Sequence, residues 1–156
     1  MIVLVCGPPA VGKTTIATRA RERLAAAGTP FRLLHSDDFS RRTYDRLYAA
    51  VAEAPGEDWI VDGTFYREEW RERFRELGDV RLVHVTASLE SCLARNRARV
   101  EPIDEQGVHV IHREFDPVDA DLTVDTDRAT VEAATEQVVA AIERWRSGGR
   151  TEVNSG

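Results

Sequence analysis

The sequence contains a single lysine. Of its 21 Lys and Arg residues, the other 20 are arginine. A compact ammonium on a flexible stem enters a tight site as a point charge, which a flat guanidinium cannot do. That lysine, Lys13, lies in Gly7-Pro8-Pro9-Ala10-Val11-Gly12-Lys13-Thr14-Thr15, a stretch that satisfies G-x-x-x-x-G-K-[ST]. Glycine lets such a backbone curl until its N–H groups point inward at an anion. A helix starting beside the lysine adds its positive N-terminal end. The chemistry implied is the holding of nucleotide phosphates. These nine residues cradle them, Lys13 reaches the β- and γ-phosphates, and Thr14 offers its hydroxyl to Mg²⁺.

Three carboxylates have the right type for the other half of a phosphoryl transfer. Asp37 and Asp38 stand side by side where the apolar run of "LLHSDDFSRR" stops, and Asp62 follows another apolar run in "WIVDGTFY". A phosphoryl transfer to a hydroxyl needs an acceptor for the hydroxyl proton and ligands for Mg²⁺. Either Asp37 or Asp38 can serve as that base, the other lying beside it at the substrate. The competing reading is that one of the pair only caps the next helix. Asp62 binds metal, binds substrate, or closes a turn with Gly63. Asp37 is a second candidate metal ligand. Arg41, next to the acid pair, and Arg67, after "DGTFY", are the basic contacts available to an acceptor.

A third group is "CLARNRARVEP", in which Arg95, Arg97 and Arg99 leave a helix and enter a proline-containing loop. Mobile arginines neutralise the charge of a transferred phosphoryl group. Arginine at a helix C-terminus also complements the helix dipole, which is the plainer explanation of each one singly. Clustering of three favours a lid that closes over the phosphates.

These residues need elements to position them. Ile2 to Cys6 reads as a fully apolar strand, and 14–27 as a helix with Ile16, Ala20 and Leu24 on one face. Strands follow at Phe31–His35, Trp59–Val61, Val80–Val85 and Leu122–Val124. Helices follow at 40–53, at 67–77, from a Ser88 cap through Arg97, at 105–115 and at 130–146. The exposed face of 67–77 carries Glu69 with Arg73 and Glu72 with Arg75 at helical spacing, the pattern of a solvated salt ladder. Strands alternating with helices give an α/β fold on a parallel sheet, in one domain over 1–146 with a disordered tail at 147–156. In such a sheet ligands sit outside the carboxyl ends of the strands. Lys13 follows the first strand, Asp37 and Asp38 the second, and Asp62 the third, so all are expected to converge.

Composition narrows the function classes. The chain has 156 residues, 42% apolar and 31% charged, with a net charge of -6. That describes a soluble domain and argues against a surface that coats nucleic acid. Cys6 and Cys92 lie in apolar patterns and read as buried thiols, not as a disulfide framework. The four histidines have no cysteine at ligand spacing and suggest no metal site. The first apolar run ends at Cys6, too short to span a membrane, so a cytoplasmic location is expected. A guanine-reading N-K-x-D is absent, because the only lysine is already in the loop. A small phosphotransferase is the natural remainder. Oligomeric state is not legible.

With these motifs in place, the sequence resembles the P-loop kinases that include O-phosphoseryl-tRNA(Sec) kinase and bacteriophage-type polynucleotide 5′-hydroxyl kinase. The resemblance runs from Met1 to about Thr126 and rests on "GPPAVGKTT", "SDDF", "VDGTFY" and "LESCLARNRARVEPID". It implies a five-stranded sheet of order 2-3-1-4-5 and binding of ATP and Mg²⁺ through Lys13 and Thr14. It also implies Asp37 as general base, Asp62 as a substrate- or metal-site acid, and Arg95 and Arg99 as lid arginines. The expected activity is transfer of the γ-phosphoryl of ATP to a hydroxyl on RNA or tRNA. A small metabolite is the alternative acceptor, since adenylylsulfate and gluconate-type kinases share the loop and the strand-two acid. A non-kinase alternative is an ATPase accessory factor acting on tRNA modification machinery.

Overall fold

A computed structural model describes residues 1–155, with side chains described through Gly148. Five parallel strands form one sheet in the order β2-β3-β1-β4-β5. They are β1 (Ile2–Cys6), β2 (Arg32–His35), β3 (Trp59–Gly63), β4 (Val80–Thr86) and β5 (Leu122–Asp125). The helices are α1 (Lys13–Ala26), α2 (Thr43–Ala52), α3 (Glu68–Arg73), α4 (Leu89–Arg97), α5 (Glu105–Glu114) and α6 (Val131–Ser155).

The continuous apolar strands are explained by helices on both faces of the sheet. Successive side chains of β1 point to opposite sides. Val3 and Val5 enter a core shared with Ile16, Ala20 and Leu24 of α1 and Val138 and Ile142 of α6. Ile2, Leu4 and Cys6 enter the other core, with Leu47 and Val51 of α2, and with Phe65 and Phe74. Because the strands are parallel and in register, their carboxyl ends meet along one edge. Cys6 lies opposite Gly63 and His84, and His35 lies opposite Asp62.

Two glycines keep that edge tight. A Cβ on Gly7 would fall 2.2 Å from the Val85 carbonyl oxygen, so only glycine lets the chain leave β1 beside β4. A Cβ on Gly63 would meet Ser36 Cβ at 3.0 Å, where the turn after β2 crosses the end of β3.

Several elements differ in detail from expectation. Strand β3 runs to Gly63, so Asp62 is inside the ladder and not beyond it. Helix α2 starts at Thr43, because Ser36–Asp38 forms a 3-10 turn, Phe39 is extended, and Arg42 takes a left-handed φ of 51°. Its N-terminus has no side-chain cap, so neither Asp37 nor Asp38 caps it. Ser88 does cap α4, accepting from the Ser91 N–H. Of the expected tail, 147–155 continues α6, and Gly156 lies outside the described residues. Cys6 and Cys92 are buried free thiols, and burial pushes Cys6 up to about 11. Among the described residues no helix is long and apolar enough to cross a membrane.

The salt ladder is half present. Arg75 bonds Glu72, but Arg73 crosses to Asp45 at 2.6 Å and lies over the Tyr48 ring. On the same helix Arg71 is 2% exposed and donates to the Phe65, Asp116 and Pro117 carbonyls. Arg71 thus ties the segment after β3 to the segment before β5. Arg71→Ala strands three carbonyls and is expected to lower stability by about 3 kcal/mol in urea unfolding. Glu72→Ala, at an exposed pair, is expected to change it by no more than about 0.5 kcal/mol. Equal effects would contradict the role given to Arg71.

Candidate phosphate site at the strand ends

The loop between β1 and α1 curls as its sequence requires. Ala10 and Gly12 take positive φ angles of 67° and 100°. The Gly7 N–H donates to the Thr64 carbonyl, fastening the start of the loop to the end of β3. The Lys13 ammonium folds back and donates to the Pro8 carbonyl at 2.8 Å. Lys13 is 9% exposed, and burial pulls it down to about 8, against the opposing pull of Asp62 and then Asp37. It is a buried cation facing carboxylates at a helix N-terminus, a place suited to an anion.

Beside it, the Thr14 hydroxyl donates to Asp62 Oδ1 at 3.3 Å. Asp62 is 3% exposed, and burial raises its carboxyl, opposed first by His35. His35 Nδ1 bonds the other carboxylate oxygen. This histidine was not foreseen as a site residue. The cue was available once the strand order is given, because adjacent ends of β2 and β3 place residue 35 opposite residue 62.

A cavity of about 340 Å³ opens over the loop. Pro9, Ala10, Gly12, Lys13, Thr14 and Thr15 form its floor, and Ser36, Asp37, Asp62 and Thr64 one wall. Arg95, Arg99, Ile103 and Ile111 complete it. Of the remaining loop residues, Gly7 and Pro8 are buried beneath it, and the Val11 carbonyl accepts from Thr126. The acid pair is split, since Asp37 faces the cavity and Asp38 does not line it.

The arginine group is also split. Arg95, in the last turn of α4, donates to the Thr126 hydroxyl at 2.9 Å and the Thr126 carbonyl at 3.0 Å. Its end is therefore pinned to the loop after β5. Arg97 turns away to Glu105. Only Arg99 lies on the connection after α4 and lines the cavity. Arg41 is exposed and does not line the cavity. Arg67 is also outside it, 3.6 Å from Glu114 and over the Tyr66 ring.

The donor set at the floor consists of hard oxygens, the Thr14 hydroxyl and the Asp62 carboxylate, with Asp37 opposite. Among the described residues no group of three His, Cys, Asp or Glu forms a metal cage. That combination fits Mg²⁺, which keeps waters and phosphate oxygens and takes few protein ligands.

A family model described as an AAA domain matches residues 2–124, and the chain belongs to that family. No curated protein matches the sequence. Among solved structures, a gluconokinase from Sinorhizobium meliloti 1021 is similar at a TM-score of 0.75 and 14% identity, covering 96% of this chain and 95% of that one. Kti12 of Chaetomium thermophilum, solved with ADP-AlF3, gives 0.74 at 19% identity, over 92% and 98% of the two chains. The APS kinase CysC of Mycobacterium tuberculosis, solved with AMPPNP and APS, gives 0.68 at 20%, over 91% and 96%. The fold is the P-loop kinase-like α/β fold of these structures, in the strand order implied by the resemblance.

Lys13 titrates near 8 when folded, against an ordinary 10.5. The burden of burying its charge is therefore full below the lower value and disappears as pH rises toward the higher. A phosphate placed on Lys13 favours the ammonium again. Binding of ADP at about pH 8.5 is then expected to take up a fraction of a proton. Calorimetry in buffers of different ionisation enthalpy measures it, and absence of uptake would contradict the burial of Lys13.

Proposed function

We propose that this protein is an ATP- and Mg²⁺-dependent kinase that transfers the γ-phosphoryl group of ATP to a hydroxyl. One observation carries the reading: a phosphate cradle with a buried lysine and an exposed carboxylate, Asp37, face each other across one cavity. Loop N–H groups and Lys13 hold the phosphates. Thr14 and Asp62 would hold Mg²⁺, with Asp37 as a further candidate ligand; when bound, the ion neutralises charge building on the phosphates. The acceptor oxygen attacks the γ-phosphorus, its proton passes to Asp37, and the bond to the β-phosphate oxygen breaks to release ADP. Arg95 and Arg99 flank the transferred group and complement its charge. A cytoplasmic location goes with this reading.

The acceptor is a hydroxyl compound, RNA or small molecule. Arg41 and Arg67, the contacts an RNA backbone would use, lie outside the cavity, and the net charge is -6. Both favour a small molecule and outweigh the resemblance to the kinases of tRNA and polynucleotide ends. A second reading is an ATPase acting as an accessory factor, in which the cradle and Lys13 turn over nucleotide without an acceptor; Kti12, alike along nearly the full length of both chains, was solved with ADP-AlF3.

Incubation with γ-labelled ATP and pools of metabolites and of tRNA separates these. Label in a metabolite supports the kinase with a small acceptor. Label in tRNA supports the kinase with RNA. Phosphate release stimulated by tRNA, with label in no acceptor, supports the accessory factor. Lys13→Ala and Lys13→Arg are both expected to abolish turnover, because the cradle fits a point charge. Asp37→Asn is expected to lower transfer by about 10²–10⁴-fold with ADP affinity nearly unchanged. Unimpaired transfer by Asp37→Asn would contradict its role as base.

A further inference from the structure

Arg99 lies on the connection 98–104 between α4 and α5, with Val100 fully exposed beside it. An exposed connection of this length is expected to sample many conformations. This one is fastened at its base. Asn96, in the last turn of α4, is 1% exposed. Its side-chain N–H donates to the Ile103 carbonyl at 2.8 Å, and its side-chain oxygen accepts from the Ile103 N–H at 3.1 Å. One amide side chain thus satisfies both backbone polar groups of a residue seven positions on, as a ladder partner in a sheet would. The Asn96 backbone carbonyl also accepts from the Arg99 N–H at 3.2 Å. Outside this pair, Arg97 bonds Glu105, and Asp104 caps α5 by accepting from the Gln106 N–H.

The result is a ring closed by a side chain, with Arg99, Val100 and Glu101 at its tip. The tip lies over Asp37, since the two together line an open hollow next to the main cavity. Ile103, the residue Asn96 grips, lines the main cavity itself.

We propose that Asn96 is a positioning residue, which locks the 98–104 loop at its base so that the Arg99 guanidinium is already aimed at the cavity, across from Lys13 and Asp37, before a ligand binds. What Arg99 then does rests on the kinase reading; the fastening does not. Preorganisation of this kind matters because an arginine that must be ordered at each turnover pays that entropy in the transition state.

Trypsin tests the fastening without reference to activity. It cuts after Arg97 and Arg99, and cleavage of a native loop tracks the fraction of time the loop is open. Asn96→Ala removes both bonds. Asn96→Asp is nearly isosteric, keeps the acceptor for the Ile103 N–H, and sets a carboxylate oxygen against the Ile103 carbonyl. Loop cleavage is expected to quicken about tenfold or more in Asn96→Ala, the effect of losing one to two net hydrogen bonds. Asn96→Asp is expected to move in the same direction, because a buried carboxylate against a carbonyl favours the open loop, and it carries the test if the alanine variant fails to fold. Cleavage at the wild-type rate in the variant that folds overturns the proposal.

The second readout is coupling. Asn96→Ala is expected to lower turnover about tenfold with the Michaelis constant for ATP little changed, and to have no further effect once Arg99 is alanine. Additive losses in the double variant would mean that Asn96 does not act through Arg99, and would overturn the proposal. If the kinase reading fails, the proteolysis result still stands; if the fastening fails, label transfer is untouched.

Discussion

A lysine ammonium held away from water is the constraint on which the rest of this molecule depends. Lys13 is 9% exposed, and it reaches its place only because the loop before it turns through left-handed angles at Ala10 and Gly12. Such angles are unfavourable for alanine and persist where the surroundings determine them. Here the surroundings are the Gly7 bond to Thr64, the Arg95 and Thr126 contacts to the loop carbonyls, and the packing of Val11 into the core. The lysine in turn sets what the facing wall must supply. Asp62 offsets part of the cost of burying that charge, and phosphate with a divalent cation would offset more of it on both sides.

The two carboxylates of the site are kept in different surroundings. Asp62 is enclosed, bonded by His35 and Thr14, and fixed in the β3 ladder between β2 and β1. Asp37 is exposed, on a short turn, with freedom to meet a substrate. That division suits one acid to hold and the other to accept a proton, as different environments give chemically alike groups different tasks.

Much of this could be read from the sequence, and the misses have physical reasons. The cradle was legible because its glycines, lysine and threonine are constrained by backbone geometry at fixed spacing. The strands were legible because burial on both faces leaves unbroken apolar runs. The convergence of Asp37 and Asp62 followed from parallel topology. His35 was missed because its partner is 27 residues away and adjacent only through strand pairing. Arg71 was missed because helical spacing gives a face, and says nothing of a neighbouring loop that covers it. Asn96 lies within the arginine-rich motif, yet its role depends on where a loop returns. The helix end expected at Arg97 already put Arg95 on α4 and Arg99 beyond it, but the pinning of Arg95 depends on Thr126, 31 residues on.

The central claim is that affinity at this site comes from phosphates held by Lys13 and the loop, with little from the nucleoside. Calorimetric titration with ADP, AMP and adenosine in the presence of Mg²⁺ tests it most directly. The account predicts that ADP binds at least about 100-fold more tightly than AMP, because charge-assisted hydrogen bonds to a whole phosphate are lost. It predicts no measurable binding of adenosine. Adenosine binding as tightly as ADP would contradict it.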